Sequence, residues 1–374
     1  MPAALFTAAA SGFYEPHRVT DLPLPAPSYA GLIPVDALGS RLFYWLFLAH
    51  ERSDDNEATP LVVWLNGGPG LSSMFGLFNE NGPLEVDSQT LAMRPRKLHW
   101  NRRFTMLYID SPAGVGYSRR GSGGSVRSAK HAATHLWVFL QRLVSMHSEL
   151  KAAPLYLTGE SFCGHYLPPL ADHILSANAI ARAASWNAST TRAIDATLLA
   201  ALPEASDIVP LHLVGVSIGG MQADIRQRVR RWPEVAFAFG LLTRDQLVRG
   251  QSLASNFSTR LDTPGMPLSE AMAPKHELEE MVATASGVTK LNLARQHGTY
   301  CLYRFAHLLN TSVMTERVHA DATRHEDAPP HEAHSQFVAL SMGAQEALIA
   351  DVHSRALEPS SELKHTRVLP PTLA

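Results

Sequence analysis

The segment LTGESFCGHY, residues 157–166, sets Ser161 between Gly159 and Gly164. A serine hydroxyl works as a nucleophile only when a base takes its proton and its Oγ is exposed and rigidly aimed. A sharp turn from a strand into a helix supplies that aim, and it needs small residues where the two elements cross. Gly159 precedes the serine by two, but Cys163 occupies the place two residues after it, where glycine is usual. On this pattern alone the serine also fits an ordinary helix N-cap. A second glycine-rich turn, NGGPG at 66–70, directly follows the apolar run LVVWL at 61–65. Glycines in such a turn let backbone N–H groups approach a developing oxyanion, although a simple Gly-Pro loop has the same composition.

These turns require a scaffold, and the apolar pattern provides one. GLIPVD (31–36) and RLFYWLFLAH (41–50), joined by ALGS, read as an amino-terminal hairpin. Four further apolar runs, 61–65, 105–110, 154–160 and 211–220, each lead into a turn rich in small residues. Between the second and third, residues 131–150 carry Leu136, Phe139, Leu140, Leu143 and Val144 at helical spacing. Wholly apolar strands separated by an amphipathic helix imply a mostly parallel sheet covered on both faces. Sites in such sheets lie at the carboxyl ends of the strands, where the glycine-rich turns fall. The core is therefore expected to be α/β and to span residues 1–221. Residues 222–335 are polar and helix-like, which predicts a helical insertion over the strand ends. Residues 336–374 are expected to return partly to the core, with a helix over 336–358 and TRVL (366–369) beginning a strand.

Composition narrows the function. The chain has 374 residues, 45% hydrophobic, enough to bury a sizeable core. A formal net charge of −2 argues against broad attraction to nucleic acid or anionic membranes. The cluster RQRVRRW (226–232) has no aromatic platform beside it and reads as a solvated helix face. No stretch approaches the ~20 apolar residues of a membrane helix. The start, MPAALFTAAASGF, lacks the basic residues of a signal peptide. Sequons at Asn187, Asn256 and Asn310 lean mildly towards a secretory route. Two cysteines, Cys163 and Cys301, make no disulfide framework. HEAH (331–334) lacks zinc-helix spacing, so neither a metal nor a cofactor is expected.

Three long blocks carry a resemblance. WLNGGPGLSSMFGLFNENGPL (64–84), LYIDSPAGVGYS (107–118) and LTGESFCGHYLPPLADHIL (157–175) resemble, in this order, the signature blocks of the serine carboxypeptidase family. SYAGLIPVDALGSRLFYWLF (28–47), GVSIGG (215–220) and FGLLTRDQ (239–246) extend the similarity from about residue 28 to 246. The resemblance implies an α/β-hydrolase fold and removal of one residue from a peptide C-terminus. It makes Ser161 the nucleophile and gives the oxyanion hole to the backbone N–H groups of Gly68 and Phe162. Trp64, Asn66, Gly67, Glu80 and Glu160 fall on the group that holds the substrate's terminal carboxylate. Two carboxyls facing a carboxylate repel it unless they carry protons, and like-charge crowding raises their pKa values. Binding is then expected to weaken as pH rises. Without the resemblance, Glu80 reads as a turn residue beside Asn81-Gly82.

The family's catalytic aspartate and histidine, which follow later strands, find no counterpart, and the C-terminal strands are expected to be missing. His319, His325, His331 and His334 lie in a polar, proline-broken stretch, Asp351 falls within a helix pattern, and His165 is expected to pack. Three activities follow from this pattern. They are a carboxypeptidase acting on peptide or protein C-termini, a peptide-binding relative without turnover, and an acyltransferase on the same scaffold. The resemblance implies a lysosomal, vacuolar or secreted setting and leaves the oligomeric state open.

Overall fold

The computed structural model describes residues 17–182 and 208–296, apart from residues 21, 52–57, 88, 89, 91, 222, 223, 287, 290 and 291. The strands are β1 (His17–Val19), β2 (Ser28–Pro34), β3 (Arg41–Phe47), β4 (Leu61–Leu65), β5 (Leu84–Val86), β6 (Met93–Pro95), β7 (Thr105–Ile109), β8 (Leu155–Glu160), β9 (Leu213–Gly219), β10 (Val288–Thr289) and β11 (Asn292–Gln296). Seven of them form one sheet in the order β1-β2-β3-β7-β4-β8-β9. β7, β4, β8 and β9 are mutually parallel, and β2 shares their direction, while β1 and β3 run against it. The expected hairpin is β2–β3, paired from Ser28↔Phe47 to Pro34↔Arg41.

The wholly apolar runs sit where both faces are covered. All five residues of β4 and of β7 are buried, as strands between two packed layers must be. On one face lie α1 (Ala129–Met146) and α2 (Leu167–Arg182). Leu136, Phe139, Leu140, Leu143 and Val144, the predicted apolar stripe, are buried there with Val63, Leu107 and Leu157 from the sheet. Ser128 starts α1, its Oγ accepting from His131 N at 3.0 Å. The helix ends at Met146, four residues short of the expected boundary, and a 3₁₀ turn occupies Ser148–Leu150. On the other face Trp45, Trp64, Met74, Phe75, Phe78 and Tyr108 pack together beneath the segment that leads into β5.

β9 departs from the fully covered pattern. Val214 and Val216 are exposed, and β9 is the last strand of the sheet among the described residues. Two side-chain amides hold its approach. Gln141 exchanges hydrogen bonds with Val209, and Asn178 does the same with Leu211.

Beyond Met221 come α3 (Ile225–Ala238), α4 (Arg244–Leu261) and α5 (Leu268–Ser286), packed around Val229, Ala254, Phe257, Leu278 and Val282. Arg228, Arg230 and Arg231 of the basic cluster lie on the solvated side of α3. The antiparallel pair β10–β11 follows, within a stretch whose polar composition predicts helix. Residues 297–374, with the expected final helix and TRVL, lie outside the described residues, as do Asn187, Asn310, Cys301, Asp351 and the four histidines from His319 to His334.

Candidate active site

Ser161 stands at the carboxyl end of β8, between its two parallel neighbours β4 and β9. Glu160 is the N-cap, so Ser161 is not. It is the first residue of a 3₁₀ turn, Ser161–His165, that leads into α2. Its φ is +56°, which makes it the one non-glycine residue with positive φ among the described residues. An L-residue in that region costs roughly 1 kcal/mol or more. The strain turns a half-exposed side chain outward at the tip of a rigid strand, the geometry of a nucleophile elbow.

The elbow is tight. A Cβ at position 159 would run into the Leu65 carbonyl oxygen and come within 2.6 Å of Cys163 Sγ. The thiol of Cys163 is buried and covers Gly159, so a larger residue is accommodated where the common motif has glycine. Gly159→Ala is accordingly expected to lower stability by about 2–4 kcal/mol, read as a shift of the urea midpoint. A midpoint within about 0.5 kcal/mol of wild type would contradict this packing.

The turn after β4 lies directly against the elbow. A Cβ on Gly67 would approach Phe162 N to 2.6 Å and Ser161 Cβ to 2.8 Å, and Gly68 follows with φ +113°. The backbones of the two turns thus meet beside Ser161. Phe162 itself is buried, and its ring packs against His165 with centroids 4.7 Å apart. His165 packs, as expected.

Next to the elbow, side chains of three elements form one network. Trp64 Nε1 donates to Asn66 Oδ1 at 2.9 Å, and Asn66 Nδ2 donates to Glu160 Oε1 at 3.0 Å. Gly76 N also donates to Asn66 Oδ1, at 3.0 Å. A Cβ on Gly76 would collide with the Trp64 indole nitrogen, so this close approach requires glycine. Gly76 begins a π-helical turn, Gly76–Glu80, that carries Glu80 to the same place. Burial, then the facing Glu160 carboxyl, push the Glu80 pKa up to about 8, against the opposing pull of Asn66 and Arg96. Glu80 therefore holds its proton at neutral pH, and its Oε2 is buried without a hydrogen-bond partner.

The structure thus brings Trp64, Asn66, Gly67, Gly68, Glu80, Glu160, Ser161 and Phe162 to one end of the parallel strands. Ser73, Gly76 and Arg96 complete the surroundings, and the sequence reading did not single them out. Arg96 donates to the carbonyls of Phe78, Gly82 and Leu84, clamping the turn that carries Glu80. A basic residue 16 positions beyond Glu80 carries no local signal of that contact.

The family model described as serine carboxypeptidase matches residues 16–247. Serine carboxypeptidase-like 41 of Arabidopsis thaliana is 41% identical over 176 residues, covering 45% of this chain and 37% of that protein. The probable serine carboxypeptidase CPVL of Homo sapiens is 33% identical over 221 residues, covering 59% of this chain and 40% of that protein. This chain thus spans no more than 40% of the length of these relatives. Among solved structures, the prohormone-processing carboxypeptidase Kex1(delta)p of Saccharomyces cerevisiae superposes with a TM-score of 0.61 at 19% identity, over 82% of this chain and 66% of that one. That likeness shows the fold, an α/β-hydrolase. With a match that runs from β1 into α4 and takes in every element of the elbow, the chain belongs to the serine carboxypeptidase family.

Proposed function

We propose that the protein is a serine-type carboxypeptidase that releases single residues from peptide C-termini through an acyl-enzyme on Ser161. The observation that carries this reading is the joining of a strained serine elbow to a buried network centred on Asn66, with the protonated carboxyl of Glu80 facing Glu160. Ser161 Oγ attacks the carbonyl carbon of the last peptide bond and loses its proton to a general base. The carbonyl oxygen, now negative, takes hydrogen bonds from the N–H groups of Gly68 and Phe162. The tetrahedral intermediate collapses, the C–N bond breaks, and the departing amino acid takes the proton. Water then cleaves the acyl-enzyme and frees the shortened peptide.

Recognition of the terminus follows from the network. Trp64, Asn66, Gly67, Glu80 and Glu160 form the seat for the terminal carboxylate. A protonated Glu80 faces the Glu160 carboxyl in the free protein and can give its hydrogen bond to the ligand carboxylate instead. The seat explains why a chain end rather than an internal bond would be selected. A lysosomal, vacuolar or secreted setting fits this activity, and Asn256, the sequon within the described residues, is exposed on α4. No helix among the described residues is long and apolar enough to cross a membrane.

The test compares N-acyl dipeptides that end in a free carboxylate with the same peptides ending in an amide. Release of the last residue is expected to be at least about 100-fold more efficient from the acid, because an amide leaves the buried donors mismatched. Equal cleavage of both would contradict the proposal. Binding of the acid without cleavage would favour the peptide-binding alternative.

A further inference from the structure

Asp110, at the carboxyl end of β7, is fully buried and belongs to none of the groups described so far. Its Oδ1 accepts from Ser72 Oγ at 2.6 Å and from Ser73 N at 3.0 Å, and its Oδ2 accepts from Tyr117 N at 2.9 Å. A Cβ on Gly116, whose φ is +54°, would strike Oδ2, so the loop after β7 is shaped to wrap this carboxyl. The backbone of Asp110 is fixed as well, its N–H donating to Phe43 O at 3.0 Å and its carbonyl accepting from Ser118 Oγ at 2.6 Å. Burying a carboxyl is costly unless its oxygens are well occupied, and the donors that occupy these come from two loops separated in sequence.

Ser73 links this carboxyl to the candidate site. Its backbone N–H is held by Asp110, and its Oγ donates to Ile109 O at 2.5 Å and accepts from Asn66 N at 3.2 Å. Asn66 is the hub that joins Trp64, Gly76 and Glu160. Resting on the carboxypeptidase reading above, we propose that Asp110 is a positioning residue that sets the terminal-carboxylate seat through Ser73 and Asn66. It touches no substrate. It fixes the segment Ser72-Ser73, which fixes the backbone of Asn66 and, through its amide, the orientation of Glu160. Removing one buried acceptor from such a chain leaves donors unpaired, and the effect passes along the bonds.

Two readouts on Asp110→Asn, Asp110→Ala and Ser73→Ala test this. The first is the indole N–H resonance of Trp64, assigned with Trp64→Phe, and its hydrogen exchange rate. The second is the affinity of N-acetylphenylalanine against its amide, by calorimetry at pH 5.5. In folded Asp110→Asn the indole resonance is expected to shift and exchange at least tenfold faster. Affinity for the acid is expected to fall at least tenfold while that for the amide stays within twofold. Ser73→Ala keeps the carboxyl in place but cuts the link, so it is expected to lose three- to tenfold in acid affinity even if the Asp110 variants do not fold. An unchanged indole signal and unchanged acid affinity in folded Asp110→Asn or Ser73→Ala would overturn the proposal. A wild-type protein that binds acid and amide alike would instead sink the carboxylate seat, and the indole signal would still decide whether Asp110 sets the Asn66 corner.

Discussion

Ser161→Ala is expected to lower kcat/KM for an N-acyl dipeptide by on the order of 10⁴-fold or more while leaving binding of the free-acid product within about twofold. The asymmetry follows from geometry. In the proposed mechanism Oγ is the reacting atom, whereas the proposed seat for the terminus is a separate set of side chains, Trp64, Asn66, Glu80 and Glu160, tied together through the Asn66 amide. Stability offers a second check that an ordinary surface serine would fail. At φ +56° an alanine remains strained, but glycine does not. Ser161→Gly is expected to raise stability by roughly 1 kcal/mol while abolishing turnover. A gain in stability with a loss of function marks a site where strain serves chemistry. If Ser161→Ala retained wild-type turnover, the elbow would be a structural turn and nothing more.

The second large effect concerns pH. In the unfolded chain Glu80 loses its proton near 4.5, but in the folded protein it holds it to about 8. Because the folded pKa is the higher one, the stability this neutral group contributes is full below about pH 4.5 and is lost as pH rises through about 8. Carboxylate binding follows the same proton. Affinity for the free-acid product is expected to hold from pH 5 to 7 and then to fall about tenfold per pH unit above about 8. Once Glu80 ionises, its negative charge beside the ligand carboxylate repels it. Glu80→Gln keeps a neutral donor and is expected to bind within about threefold of wild type at pH 6, with the alkaline loss removed. Wild-type affinity that stays flat from pH 5 to 9 would contradict this role for Glu80.

Much of this was legible in the sequence because the signals are local. LVVWL and TMLYI read as buried strands since they are apolar but for Thr105, and each residue is buried. The stripe from Leu136 to Val144 marks the buried face of α1 because helical spacing survives in the order of residues. Ser161 and the NGGPG turn announce themselves through glycine, whose positions report where backbones must approach. Ser161 is not the N-cap because Glu160 holds that position, a one-residue distinction that composition does not carry.

What stayed hidden was held by distance in sequence. Asp110 reads as the polar end of a strand, and its partners Ser72 and Ser73 lie 38 and 37 positions away. Arg96 reads as a loop cation until its guanidinium is found on three carbonyls around Glu80. The pair β5–β6 is short, and its register, Leu84↔Pro95 to Val86↔Met93, lacks a clear apolar alternation to announce it. The family resemblance points to Trp64, Asn66, Glu80 and Glu160 together, and in the structure the Asn66 amide joins Trp64 to Glu160 while Glu80 faces Glu160.

The most direct test of the central claim is labelling with a fluorophosphonate near pH 5.5 and pH 7.5, the adduct placed by mass spectrometry. Rapid labelling confined to Ser161, absent in Ser161→Ala and slowed by N-acetylphenylalanine but not by its amide, is the predicted result. Folded protein that takes up no label at Ser161, or labels equally fast with the free acid present, would contradict the account.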